Sequence, residues 1–132
     1  MRCFRSVAEH LTGGGLFLIE AFVPDTARFE DGRTVRLIQL SEDVVCLDAA
    51  ELDRAAQRVS SQHVLLSPKG VELYPVELRY AWPSELDLMA QLAGLTLQHR
   101  WGSWQKDSFS KESDKHVSLY GRSQQGLGPE SP

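Results

Sequence analysis

Eight residues, Leu16-Phe17-Leu18-Ile19-Glu20-Ala21-Phe22-Val23, stand between the glycine triplet Gly13-Gly14-Gly15 and Pro24-Asp25. Apart from Glu20 the run is apolar, and it falls well short of the ~20 residues that span a bilayer. Bounded by chain breakers on both sides, it reads as a strand, and its near-continuous apolar character suits a central parallel strand covered on both faces. Ahead of it Phe4, Val7, Ala8 and Leu11 recur at helical spacing, with Arg2, Arg5, Ser6 and Glu9 on the other face. Glycine after Thr12 ends that helix, and a left-handed C-cap is expected there. A helix leading straight into such a strand implies an α/β layer architecture. The helix starts with the chain itself, so nothing precedes it to cap its first N–H groups, and the reading is of a start cut from a longer domain.

Downstream, Phe29-Glu30-Asp31-Gly32-Arg33 forms a turn, followed by β-rich runs at Thr34 to Leu40 and Asp43 to Asp48. Ala49 to Arg58 has helix-forming composition, which leaves helix or strand open for that piece. Arg58 to Leu66 and Val71 to Tyr80, joined by Ser67-Pro68-Lys69-Gly70, form a hairpin, so residues 24–80 read as an antiparallel meander. Pro83-Ser84-Glu85-Leu86-Asp87 opens a helix, with Ser84 as cap and Asp87 as the other half of a capping box. Leu86, Met89, Ala90 and Ala93 line one of its faces and Leu88, Leu92 and Leu95 another, so it is expected to be well buried. Thr96 to Trp104 and His116 to Gly121 are strands separated by a polar loop, and residues 123–132 form a disordered tail rich in Ser, Gln, Gly and Pro.

Composition excludes several function classes. The chain of 132 residues carries 14 Lys+Arg against 18 Asp+Glu, a formal net charge of −4, and no basic stripe that would release counterions from a nucleic acid. It has no membrane-spanning run and no signal-peptide h-region, which makes cytoplasmic residence the expectation. Cys3 and Cys46 lack CxxC spacing and read as buried reduced thiols.

Few residues announce chemistry. The glycine triplet follows a helix and opens a strand, the reverse of a phosphate-cradling loop. His10, His63, His99 and His116 are scattered without metal-ligand spacing, and no GxSxG elbow exposes a serine. Glu20 interrupts the apolar strand, with Phe22 on the same face, at the strand end where open α/β sheets bind ligands. It is either a structural hydrogen-bond partner or a site residue. Tyr74, Tyr80, Trp82, Trp101 and Trp104 either fill core or wall a pocket in which Arg79 and Glu77 hold a small organic substrate.

These residues carry a family resemblance. Phe4-Arg5-Ser6-Val7-Ala8-Glu9-His10-Leu11, the glycine turn, Leu16 to Glu20 and Phe22-Val23-Pro24-Asp25 resemble the helix, turn and fifth strand of class I S-adenosylmethionine-dependent methyltransferases. Leu78 to Ala90 is similar to the segment leading into their last helix, and Trp101 with His116-Val117-Ser118-Leu119-Tyr120 to their final two strands. The resemblance departs at the turn, where such families commonly place Pro-Gly-Gly. It implies residues 1–122 as the C-terminal half of a methyltransferase domain: a partial Rossmann-like sheet built as helix, strand, antiparallel meander insertion on the substrate side, helix and two strands. It further implies S-adenosylmethionine as cofactor and a small-molecule substrate, with Glu20, Phe22, Arg79, Tyr80 and Trp82 forming the substrate-side wall. The glycine-rich cofactor loop and the acidic ribose partner have no counterpart in this sequence, so no cofactor-binding residue is assigned. On this reading the isolated chain is incomplete and inactive without a missing N-terminal half. The alternative is a non-catalytic binding or dimerisation module that self-associates through the edge of the Leu16–Val23 strand.

Overall fold

The computed structural model describes residues 2–122, so the expected tail at 123–132 lies outside the described residues. The chain divides into two compact units, one of residues 1–23 with 82–132 and one of residues 24–81. Among the described residues no helix is long and apolar enough to cross a membrane.

The first unit opens with helix α1, Arg2–His10, whose Phe4 is buried. Its C-terminal carbonyls are capped from a distance: the Arg122 guanidinium donates to the Ala8 oxygen at 2.6 Å and to the Leu11 oxygen at 2.8 Å. That side-chain cap replaces the left-handed glycine expected there, and none of Gly13, Gly14 or Gly15 takes a positive φ. Gly15 matters for space instead, since a Cβ on it would lie 2.9 Å from Leu11 Cδ2 and 3.1 Å from the Thr12 nitrogen. Strand β1, Leu16–Phe22, follows. Helix α2, Pro83–Leu92, then leads into β6, Leu95–Trp101, and β7, Lys115–Arg122, and the three strands form a sheet in the order β1-β7-β6.

Both ladders of this sheet are antiparallel. The expectation of a central parallel strand is thus corrected: among the described residues β1 pairs with β7 alone, on one edge. Its burial alternates, with Leu16, Leu18 and Phe22 exposed by 54%, 40% and 49%. Phe17, on the opposite face, meets Phe4 at a ring-centroid distance of 5.6 Å. The strand is apolar on two sides and these residues cover one.

Helix α2 begins one residue before the expected cap. Trp82 is its N-cap, Pro83 supplies the pre-set φ of the first turn, and Glu85 Oε2 accepts the Trp82 N–H at 2.7 Å. Ser84 lies within the first turn, and Asp87 is left free for another partner. Only Leu86 and Ala90 of the helix are buried, while Leu88 and Leu92 remain 56% and 64% exposed, so the helix is half-covered and not enclosed. Strand β6 stops at Trp101, which leaves Trp104 in the following turn.

The second unit is the expected four-stranded antiparallel meander, in which β2 (Arg33–Leu40), β3 (Val45–Asp53), β4 (Arg58–Ser67) and β5 (Gly70–Arg79) pair in chain order. Asp31 and Gly32, at φ 47 and φ 80, form the two-residue turn with positive φ at both centres that matches strand twist. Residues 49–53 prove to be strand: Leu52 pairs with Val59, and both are buried with Phe29, Ala50 and Tyr80. Burial of that apolar pair overrides the helix-favouring composition. A tight turn closed by Asp53 Oδ1, which accepts the Ala56 N–H at 2.9 Å, ends the strand. Of the two cysteines, Cys46 is half-buried and Cys3 is exposed, because α1 turns its Phe4 side and not its Cys3 side inward.

Candidate functional site

The most developed polar constellation lies in the first unit. His116, Ser118 and Tyr120 alternate along β7 and so share one face, and all three are fully buried. Arg100 on β6 stands opposite Ser118 in register. Its Nε donates to Ser118 Oγ at 2.8 Å, and its Nη1 and Nη2 grip Asp87 of α2 at 3.1 and 2.6 Å. Tyr120 donates its hydroxyl to the same carboxylate at 2.7 Å. Two donors with a fixed fork thus meet one carboxylate, the bidentate arrangement that arginine supplies best. The network ties helix to sheet through residues at positions 87, 100, 118 and 120.

The surroundings set the protonation states. Burial, then the hydrogen bond to Asp87, push the Tyr120 hydroxyl up to about 12, so it remains a donor. Burial first, and the nearby Arg100 charge second, hold His116 below its ordinary value of 6.5. Ser118 Oγ accepts from Arg100 and also hydrogen-bonds His116 Nδ1, 2.7 Å away. The other ring nitrogen, Nε2, is enclosed with no hydrogen-bond partner among the described residues. The ring meets Phe109 edge-on at 5.9 Å.

A histidine held neutral by burial has a stability signature. The unfolded chain takes up the proton near 6.5, the folded chain only at lower pH. The contribution is therefore fully present above 6.5 and is lost as pH falls from there through the lowered folded value. Urea midpoints measured from about pH 8 to about pH 5 are expected to drop for the wild type and to flatten in His116→Gln. Parallel curves for the two proteins would remove His116 from this account.

The residues singled out from sequence are distributed over both units. Glu20, Phe22 and Trp82 belong to the first, Arg79 and Tyr80 to the second. Glu20 is exposed and accepts the indole N–H of Trp104, a contact made available because Trp104 lies in the turn after β6. Of the two roles left open for Glu20, the hydrogen-bonded one is present. Phe22 lies on the same face of β1 and is 49% exposed. Trp82 is 37% exposed where the chain enters α2. Arg79 is exposed opposite Arg58, in an open cleft shared with Glu77. Tyr80 is a core residue, 5% exposed among Phe29, Ala50, Leu52 and Val59. Trp101 stacks on His99 at 5.4 Å, with Lys106 over its ring. The Asp87–Arg100–Tyr120 network was not foreseen. Arg100 follows Gln98 and His99 in a strand that is already half polar, so nothing in the sequence marks it, and its partners become visible only with the β6–β7 register.

No glycine-rich strand-to-helix loop occurs among the described residues, where Gly13-Gly14-Gly15 joins α1 to β1 and α2 is entered through Trp82-Pro83. The described residues do not, therefore, fit a nucleoside cofactor by themselves. Nor do three His, Cys, Asp or Glu side chains gather among them as a metal site.

Comparison with known proteins supplies the frame for this geometry. No protein-family profile matches the chain, and no curated protein does. Among solved structures, the CcbJ methyltransferase from Streptomyces caelestis is 38% identical at a TM-score of 0.85, over 92% of this chain and 49% of its own. An S-adenosylmethionine-dependent methyltransferase from Clostridium acetobutylicum has the same fold at 13% identity and a TM-score of 0.71, over 90% of this chain and 49% of its own. CalS10, an amino pentose methyltransferase from Micromonospora echinaspora solved with S-adenosylmethionine bound, does so at 18% and 0.56, over 91% and 49%. In sequence and in fold the chain resembles an S-adenosylmethionine-dependent methyltransferase, and it spans about half the length of these solved examples.

Proposed function

We propose that this chain is the C-terminal, substrate-side half of an S-adenosylmethionine-dependent methyltransferase acting on a small molecule. The observation that carries the reading is the 38% identity and TM-score of 0.85 to CcbJ, which extend over 92% of this chain. Cofactor binding then falls to the other half, since the residues described here offer no nucleoside loop. A sulfonium donor is already activated, so a methyltransferase needs from its protein mainly orientation of the acceptor and exclusion of water. In this reading Glu20 and Phe22, at the end of β1, and Trp82, at the entrance to α2, form part of the substrate wall. Arg79 and Tyr80 belong to the second unit, the meander of residues 24–80, where Tyr80 lies in the core.

A second reading rests on β1 itself. Its exposed Leu16, Leu18 and Phe22 and its single ladder also suit a non-catalytic module that pairs this edge with a partner. Isothermal titration calorimetry with S-adenosylmethionine separates the two. The expected result is no binding by this chain and clear binding once an upstream half carrying a β-α-β unit is joined to it. Binding by the chain alone would overturn the division of labour, and absence of binding by the joined protein would favour the module.

A further inference from the structure

The loop between β6 and β7, residues 102–114, is largely bonded to itself. The Gly102 N–H donates to the Asp107 oxygen at 2.8 Å, the Ser113 N–H to the Ser110 oxygen at 3.1 Å, and the Ser110 N–H to Ser113 Oγ at 3.0 Å. A compact loop of this kind is held in place by the few contacts it makes with the sheet. At its base the Asp114 oxygen accepts the Val23 N–H at 2.7 Å. Trp104 donates its indole N–H to Glu20, and Lys106 lies 5.7 Å over the Trp101 ring. Phe109 meets the His116 ring and also lies under the Arg100 guanidinium at 5.7 Å. That last contact sets the loop against a fully buried ionisable group.

His116 cannot take up a proton where it stands. Its Nε2 is enclosed without a partner, and the two charges that act on the ring are Arg100 and Asp87. The Asp87 carboxylate is already gripped by the Arg100 fork and by the Tyr120 hydroxyl. Helix α1 brings Phe4 to this side of the sheet and leaves Arg2, Arg5 and Glu9 exposed. Glu20 and Lys115 belong to the opposite face, since they pair with Val117 and Phe22. In the loop Asp107 and Glu112 are bonded to Ser103 and Ser110. An imidazolium would therefore be a buried charge beside a guanidinium, with no acceptor of its own. Phe109 is only half-buried and stands between that ring and water, so it is the cover that can move.

We propose that Phe109 and His116 form an acid-released latch. While His116 is neutral, Phe109 packs on it and holds the loop down. When His116 is protonated, Phe109 leaves, water reaches the imidazole, and the loop lifts from the sheet. Strands β1 and β6 both run antiparallel to β7, so both end at the edge where the loop stands, and Glu20 lies beside it. Lifting the loop withdraws Trp104 from Glu20, so acid uncovers that carboxylate. This consequence concerns the substrate wall only on the reading of Glu20 proposed above; the latch itself does not depend on methyl transfer.

Amide hydrogen exchange followed by NMR on the full chain tests it, with the Val23 N–H as reporter of the loop base. One coupled proton makes opening roughly tenfold more frequent for each pH unit below 6.5, down to the lowered value of folded His116. Exchange corrected for its intrinsic pH dependence is expected to follow that slope in the wild type, while the amides of residues 117–120 on β7 stay protected. His116→Gln is expected to abolish the slope, and His63→Gln, in the second unit, to keep it. Phe109→Ala is expected to leave Val23 weakly protected at every pH and to bring the His116 titration, followed by its imidazole proton shifts, toward 6.5. A flat wild-type profile would overturn the latch, as would a slope that survives in His116→Gln. Equal loss of protection along 117–120 would mean global unfolding and would overturn it too. Should His116→Gln fail to fold, Phe109→Ala decides, because Phe109 is half-exposed in a loop; an unmoved His116 titration there would sink the proposal.

Discussion

Tyr120→Ala is expected to destabilise the first unit by about 4 kcal/mol, a large share of the ~5–15 kcal/mol that holds an ordinary domain together. The ring is fully buried. It stands edge-on to Phe4 at 5.9 Å and stacks with Phe17 at 6.3 Å, so it joins α1 and β1 to β7. Deleting it removes the transfer energy of an aromatic side chain and leaves a cavity that three elements would have to collapse into. Tyr120→Phe separates packing from polarity. It keeps the ring and loses the hydroxyl's hydrogen bonds, the one donated to Asp87 and the one accepted from Arg100 Nη2, and is expected to cost about 1.5 kcal/mol. Urea unfolding followed by tryptophan fluorescence reads this unit selectively, because Trp82, Trp101 and Trp104, the chain's three tryptophans, all lie in it. Equal losses in the two variants would show that the hydroxyl, and not the ring, holds the three elements together.

Much of this architecture is legible from local patterns, and the reasons are specific. The boundary between α1 and β1 follows from a change of apolar period at three glycines, and the meander from alternating runs between Asp31-Gly32 and Ser67-Pro68-Lys69-Gly70. These signals live within a few residues of the structure that they specify. Residues 49–53 escape such reading because Ala, Glu and Leu favour helix, while the strand there is decided by Leu52 meeting Val59 across the ladder. The start of α2 was displaced for a related reason. Ser84 is a good cap by type, but Pro83 sits best in the first turn, and Glu85 answers Trp82 instead. The strand β1 shows a different kind of gap. Its sequence is apolar on both faces, and the described residues give it one neighbour and one cover.

The candidate site divides along the same line. Glu20 stood out because a carboxylate in an apolar strand needs a partner, and the partner, Trp104, is 84 residues away. Tyr80 and Trp82 were noticed together as aromatics, yet one closes the meander core and the other caps a helix. Residue type marked them; only the fold separates their roles. The chain spans 49% of CcbJ, and its described residues contain no glycine-rich strand-to-helix loop.

Arg100→Met is expected to cost about 3 kcal/mol, because it leaves the Asp87 carboxylate in a pocket built for a guanidinium. The two side chains are only 13% and 25% exposed, so water replaces little of what the arginine supplied, although the partial opening at Asp87 keeps the loss toward the lower end for a broken buried pair. Ser118 Oγ loses its donor as well. Arg100→Lys retains the charge but not the fork, and is expected to recover less than half of the loss, since one ammonium cannot satisfy both carboxylate oxygens and Ser118 at once. The decisive comparison is the double variant Arg100→Met/Asp87→Leu. Removing both charges together removes the stranded carboxylate, so the pair is expected to cost clearly less than the sum of the single changes, with a coupling of about 2 kcal/mol. Urea unfolding read by the same tryptophans measures all four proteins. Strict additivity would mean that the bidentate contact between α2 and β6 carries no net coupling, and that burial of Tyr120 alone fastens the helix to the sheet.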